Sequence, residues 1–244
     1  MIKNIIKELK KSADPKKAAV LKRFFKTGKG EYGEGDKFLG VIVPEQRKIA
    51  KKYSESSIND LQKLLDSEIH EYRLTALLIL VDIYPQSPKK IVNFYLKNTK
   101  NINNWDLVDL SAPNIVGDYF LDKDRKMLRQ LAKSKNLWER RIAMVATYAF
   151  IKRSQFADTI KIAGMLLGDS HDLIHKAVGW MLREVGKRDK KILLNFLDKN
   201  AARMPRTMLR YAIEKLPEKK RKKYLKKEFL PFSKGRLRGV MKLT

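Results

Sequence analysis

The chain has 244 residues and no cysteine, and its 54 Lys+Arg against 27 Asp+Glu give a formal net charge of +27. Its 43% hydrophobic content supports a sizeable core and excludes a disordered basic tail, while the missing cysteines exclude disulfides, thiolate metal sites and thiol nucleophiles. A charge of this size implies a polyanionic partner.

Strand signals are scarce, and apolar residues recur at three- and four-residue spacing along most of the chain, the pattern of amphipathic helices. Helices are predicted over Ile2–Lys11, Lys16–Lys26, Pro44–Tyr53, Ile58–Leu65, Glu71–Tyr84, Lys89–Lys97 and Asn104–Phe120. They continue over Lys123–Ala132, Leu137–Ile151, Phe156–Leu167, Ser170–Gly186, Lys190–Leu197, Arg206–Leu216 and Lys219–Lys226. The opening segment Met1–Lys11 carries charges throughout and lacks the continuous apolar stretch of a signal peptide. The longest apolar run, Ala76–Val81, is far short of the roughly 20 residues of a membrane span, so a cytoplasmic protein with no membrane contact is expected. Pro15, Pro44, Pro88, Pro205 and Pro217 fall at or near helix starts, where a missing N–H is harmless. Ser170, with Asp172 in the following turn, is the expected N-cap of its helix.

Between the second and third helices, GKGEYGEGD (residues 28–36) places Gly28, Gly30 and Gly33 at GxGxxG spacing. It follows a helical segment instead of a strand and no βαβ unit surrounds it, so it reads as a flexible loop and not a dinucleotide site. Lys26 precedes it and Lys29 lies within it, placed to meet a DNA backbone.

The chain is self-similar. Thr75, Asp109, Ala143, Ala177 and Ala212 are separated by 34, 34, 34 and 35 residues, and two places before each stand Arg73, Leu107, Arg141, His175 and Arg210. A helical pattern repeating at this period predicts an all-α superhelical solenoid, one continuous domain over residues 1–244, whose concave face can grip an extended ligand. Four of the five register positions are small; the fifth is Asp109, a carboxylate with no role in repeat packing. Trp105 lies one turn before it on the same helical face. Two readings follow: a packing tryptophan with Asp109 paired to a lysine, or a ring and a carboxylate that together stabilise a cationic group. Trp180 on its own helix is open to the same alternative of core or site.

Arg73, Arg141 and Arg210 share one register position, which predicts a row along the solenoid suited to successive phosphates. Lys187–Thr244 adds 20 Lys+Arg against 5 Asp+Glu, and its segment 218–244 is expected to be partly mobile and to attract phosphates. His171 and His175 have metal-capable spacing, but no glutamate, cysteine or carboxylate cluster completes a set, so no metal and no cofactor is expected.

WDLVDLSAPNIVGDYFL (105–121), LWERRIAM (137–144), HKAVGWMLREVGK (175–187) and FFKTGKGEYGEGDKFLGVIVPEQR (24–47) together resemble the AlkD-like DNA alkylation repair glycosylases. The resemblance spans about Lys16 to Pro217. It implies a HEAT-like repeat solenoid, right-handed or similar, that hydrolyses the N-glycosidic bond of N3- or N7-alkylated purines in double-stranded DNA without an obligate protein partner, as a monomer. It implies that Trp105, Asp109 and Trp180 are catalytic and that Arg141 contacts DNA beside the lesion. Ile42 departs from the polar residue that related sequences often carry there. The alternatives are a non-catalytic solenoid that binds branched or damaged DNA, against which Asp109 stands, and a protein-interaction scaffold.

Overall fold

Polar caps and prolines divide the chain into helices. The computed structural model describes residues 1–226. They form α1 (Ile2–Lys11), α2 (Pro15–Phe24), α3 (Val43–Lys52), α4 (Ile58–Leu65), α5 (His70–Ile83), α6 (Pro88–Lys97), α7 (Trp105–Ala112) and α8 (Lys126–Leu131). Then follow α9 (Leu137–Ala146), α10 (Tyr148–Lys152), α11 (Ala157–Met165), α12 (Asp172–Arg188), α13 (Lys190–Asn200), α14 (Arg206–Ile213) and α15 (Glu218–Leu225). Asp14, Ser57, Asn104, Asn136 and Asp189 cap helix starts through side-chain oxygens that accept backbone N–H groups. The cap of α12 is His171, whose Nδ1 accepts the Leu173 N–H at 3.1 Å, not the expected Ser170. Among the described residues there is no strand, only an isolated parallel bridge between Lys37 and Ile69. No described helix is long and apolar enough to cross a membrane. Part of the basic segment 218–244 forms α15; residues 227–244 lie outside the described residues.

α3, α5, α7, α9, α12 and α14 pack each against the next, and α4, α8, α11 and α13 back them from the other side. This is a helical repeat solenoid. The 34-residue register falls on its inner row. Thr75, Ala143 and Ala177 are fully buried and Ala212 nearly so, because a small side chain lets consecutive inner helices approach. α5, whose residues His70–Leu80 are all buried, is the innermost of them, apolar around most of its circumference as a surrounded helix must be.

Two predicted helices are interrupted. Pro113 has no N–H to donate to the Asp109 carbonyl, so the segment predicted as Asn104–Phe120 leaves α-geometry after Ala112 and continues as a π-helical turn over Pro113–Gly117. Thr147, buried and donating its hydroxyl to the Met144 carbonyl at 2.7 Å, divides the predicted Leu137–Ile151 into α9 and α10.

The loop from Phe25 to Ile42 is bound to the second inner helix. Glu71 is buried, and its Oε1 accepts the N–H groups of Leu39, Gly40 and Val41 at 3.0, 2.8 and 3.3 Å. Gly40 has φ +86°, and a Cβ there would lie 2.1 Å from the Asp14 carbonyl oxygen at the start of α2. Gly40→Ala therefore imposes both left-handed strain and a backbone clash, and it is expected to destabilise the fold by about 2–5 kcal/mol. A urea midpoint equal to that of wild type would disprove this.

Candidate active site

The site is assembled at the start of α7. Asn104 caps the helix, its Oδ1 accepting the Trp105 N–H at 2.8 Å, and its amide donates to Asp36 at 3.2 Å. Trp105 is thereby held at the first helical position, its indole stacked on Phe25 with centroids 5.3 Å apart and planes at 20°, and met edge-on by Phe24 at 5.9 Å. One turn later, Asp109 faces Arg141 from α9. The guanidinium forks onto the carboxylate, Nε donating to Oδ1 at 2.9 Å and Nη2 to Oδ2 at 2.8 Å, while Nη1 donates to the Leu173 carbonyl at 2.6 Å. Arg141, not a lysine, is the partner of Asp109. Burial pushes the Asp109 carboxyl up; the charge and hydrogen bonds of Arg141 pull it back and Asp106 pushes it further, leaving it above the ordinary carboxylate value.

Trp105, Asp109, Arg141 and Trp180 line one cleft of about 540 Å³, with Lys26, Tyr32, Lys176 and Arg183 among the other walls. Trp180 is half-buried, packed against the core with its ring 6.1 Å from Tyr148, and it also lines the cleft. Gly179 beside it admits α14, since a Cβ there would fall 2.5 Å from the Met208 carbonyl oxygen. Lys26 reaches the cleft from a left-handed turn with φ 52° that ends α2. Lys29 and Arg210 are exposed and stand outside the lining.

The expected row of three arginines does not form. Arg73 is 3% exposed, with Nη2 donating to Asp36 at 2.7 Å and Nη1 to the Ser67 carbonyl at 2.8 Å; it is enclosed between the loop and α5, out of reach of phosphate. Arg141 is also buried and serves Asp109, so the shared register gives these arginines equivalent positions on their helices but different surroundings. His171 caps α12 and His175 lies 2.5 Å from the Asp169 carbonyl oxygen, which accounts for both histidines without a metal.

Several groups at the site carry no repeat signal. Tyr32, at the centre of the glycine-rich loop, extends to the edge of Trp138 at 6.1 Å and into the cleft, its hydroxyl donating to the Phe24 carbonyl at 3.4 Å. Lys176 precedes Trp180 by one turn, a spacing that could have revealed it. Beneath Trp105 lies a buried charged cluster. His70 Nε2 is 2.8 Å from Asp106 and Nδ1 is 3.2 Å from Asp36, and the ring is stacked on Phe38 at 4.7 Å and tilted against Phe25 at 4.9 Å. Burial alone would discharge the imidazole; the charge and hydrogen bond of Asp106 and the hydrogen bond of Asp36 outweigh it and hold its pKa at about 9.

On the other side of Trp105 an apolar groove of about 590 Å³ runs between α2, α3 and α5, lined by Val20, Leu21, Phe24, Ile42, Leu74 and Leu110 among others. Phe24, Trp105 and Asp109 border both hollows. Ile42 is 52% exposed on the groove.

The family described as DNA alkylation repair enzyme matches residues 5–216. No curated protein matches the chain in sequence. Among solved structures, a predicted DNA alkylation repair enzyme from Enterococcus faecalis superposes with a TM-score of 0.69 at 17% identity, over 85% of this chain and 98% of the other. AlkD2 from Streptococcus mutans gives 0.54 at 19% identity over 81% and 96%. The protein smu.31 from Streptococcus mutans UA159 gives 0.53 at 19% identity over 80% and 94%. At these identities the likeness is one of fold.

Proposed function

The chain belongs to the DNA alkylation repair enzyme family, and we propose that within it this protein is a DNA glycosylase of base excision repair that hydrolyses the N-glycosidic bond of N3- or N7-alkylated purines in duplex DNA. The observation that carries the reading is the largely buried carboxylate of Asp109, set beside Trp105 in a cleft that Trp180 also lines and that has Lys26, Lys176 and Arg183 on its walls, with the half-exposed Asp172 paired to Lys176 at 2.8 Å. An alkylated purine of this kind is cationic and leaves without further protonation. As the C1′–N bond breaks, its electron pair goes to the base, positive charge grows on the sugar, and water then adds to C1′ and gives up its proton. Asp109 stabilises that charge and orients the water. The indole faces of Trp105 and Trp180 attract the same charge. A phosphate entering the cleft offers Arg141 a second anion, so the fork that neutralises Asp109 in the free protein is shared when DNA binds. The protein acts on DNA as a monomer in this reading.

One observation favours a second reading: both oxygens of Asp109 are already taken by Arg141, as in a purely structural ion pair. The chain would then bind branched or damaged DNA without chemistry. Incubation with methylated duplex DNA separates the two, because the glycosylase releases free 7-methylguanine or 3-methyladenine and the binding module releases neither. Duplex affinity measured against salt should fall steeply as bound counterions compete; a flat dependence would favour a protein-binding scaffold instead.

A further inference from the structure

Every charged group around the buried cluster under Trp105 can be named. His70, the first residue of α5, has Asp106 of α7 on one ring nitrogen and Asp36 of the loop on the other. Asp36 also accepts from Arg73 of α5 at 2.7 Å and from Asn104 at 3.2 Å. The second oxygen of Asp106 accepts the Leu107 N–H at 2.9 Å. The nearby carboxylate of Glu71 is spent on the loop N–H groups. Two ring nitrogens that each face a carboxylate both need a proton, so His70 is an imidazolium, and with Arg73 it balances Asp36 and Asp106. The ring also touches Phe25, and Phe25 is stacked on Trp105.

We propose that His70 is a positioning residue for the reaction: its imidazolium clamps the first turn of α7 through Asp106 and sets the plane of the Trp105 indole through Phe25, without touching DNA. The proposal rests on the glycosylase reading for its kinetic consequences, but the clamp itself does not. Removing the imidazolium leaves Asp106 uncompensated one turn from Asp109, whose other neighbours are the charged Arg141 of α9 and the Tyr95 phenol of α6, kept neutral by burial. An uncompensated Asp106 raises the Asp109 carboxyl; a neutral Asp106 lowers it.

The two ends of the clamp therefore have opposite signatures, tested in the full chain. His70→Gln is expected to reduce base-release turnover about 10–100-fold at unchanged duplex affinity and to move the acid limb of the turnover–pH profile to higher pH. Asp106→Asn is expected to move that limb to lower pH with a smaller loss of turnover. In a Trp138→Phe, Trp180→Phe background, where Trp105 is the remaining tryptophan of the three, His70→Gln should also shift the indole emission without DNA present. A merely structural role predicts that turnover follows the folded fraction, that both limbs stay put or move together, and that the emission is constant; any of these overturns the proposal. Should His70→Gln not fold, the direction of the Asp106→Asn shift decides alone. A wild-type protein that releases no base refutes the glycosylase reading, and the emission experiment still decides the clamp.

Discussion

Asp109→Asn is expected to reduce base release from methylated duplex DNA by at least about 100-fold, with duplex binding retained or slightly tightened. The amide keeps the size of the carboxylate and an oxygen for Arg141, so the cleft keeps its shape. What disappears is the negative charge opposite the developing cation on the sugar. Binding does not suffer, because the substitution removes a negative charge from the cleft that has to admit phosphate. Asp109→Ala would be a poorer test. Both substitutions leave the Arg141 guanidinium, 5% exposed, without its counter-ion, but Ala also leaves its N–H groups without an acceptor, and breaking a buried pair outright from one side destabilises by about 3–5 kcal/mol. Release of base by Asp109→Asn at the wild-type rate would remove the carboxylate from the chemistry.

Arg141→Ala carries the second large effect, and it acts on stability, binding and chemistry together. Its guanidinium joins α7 to α12 by holding Asp109 with two nitrogens and the Leu173 carbonyl with the third. Without it, a largely buried carboxylate loses the charge that opposes its desolvation, and stability is expected to fall by about 3–5 kcal/mol. Burial and Asp106 then act on Asp109 unopposed, so the carboxyl rises further and the acid limb of turnover moves to higher pH. Because the proposed reaction uses the carboxylate, activity lost at neutral pH should partly return at alkaline pH. Duplex affinity should weaken as well, since the cleft loses one of its cations. Arg141→Lys should restore part of the stability and little of the activity, because an ammonium cannot fork onto both oxygens. Unchanged melting, affinity and turnover in Arg141→Ala would exclude Arg141 from the site.

Much of the fold was legible because repeat packing imprints itself at a fixed spacing. Thr75, Ala143, Ala177 and Ala212 are small for one physical reason, the close approach of inner helices, and Asp109 was conspicuous because that reason fails there. The same register misled for Arg73. A register states where a residue sits on its own helix; what covers it depends on non-repeating segments, and the loop over α5 encloses Arg73 while Arg210 is exposed among the described residues. The buried cluster was illegible for a related cause. His70, Asp36 and Asp106 lie in three elements more than thirty residues apart, and each taken alone is an ordinary polar residue of a basic chain. Pro113 was visible, but the helical periodicity continues through it, and so the π-turn was not.

The segment from Phe25 to Ile42 makes the array unlike a simple stack. In a linear solenoid each unit feels only its immediate neighbours, and unfolding can begin at an end and travel inward one unit at a time. Here a single non-repeating segment holds α5 through Glu71, reaches α7 through Asn104 and His70, and extends Tyr32 to Trp138 of α9. It couples units that are not adjacent, so the first half of the array is expected to open as one cooperative block and not by fraying from its end.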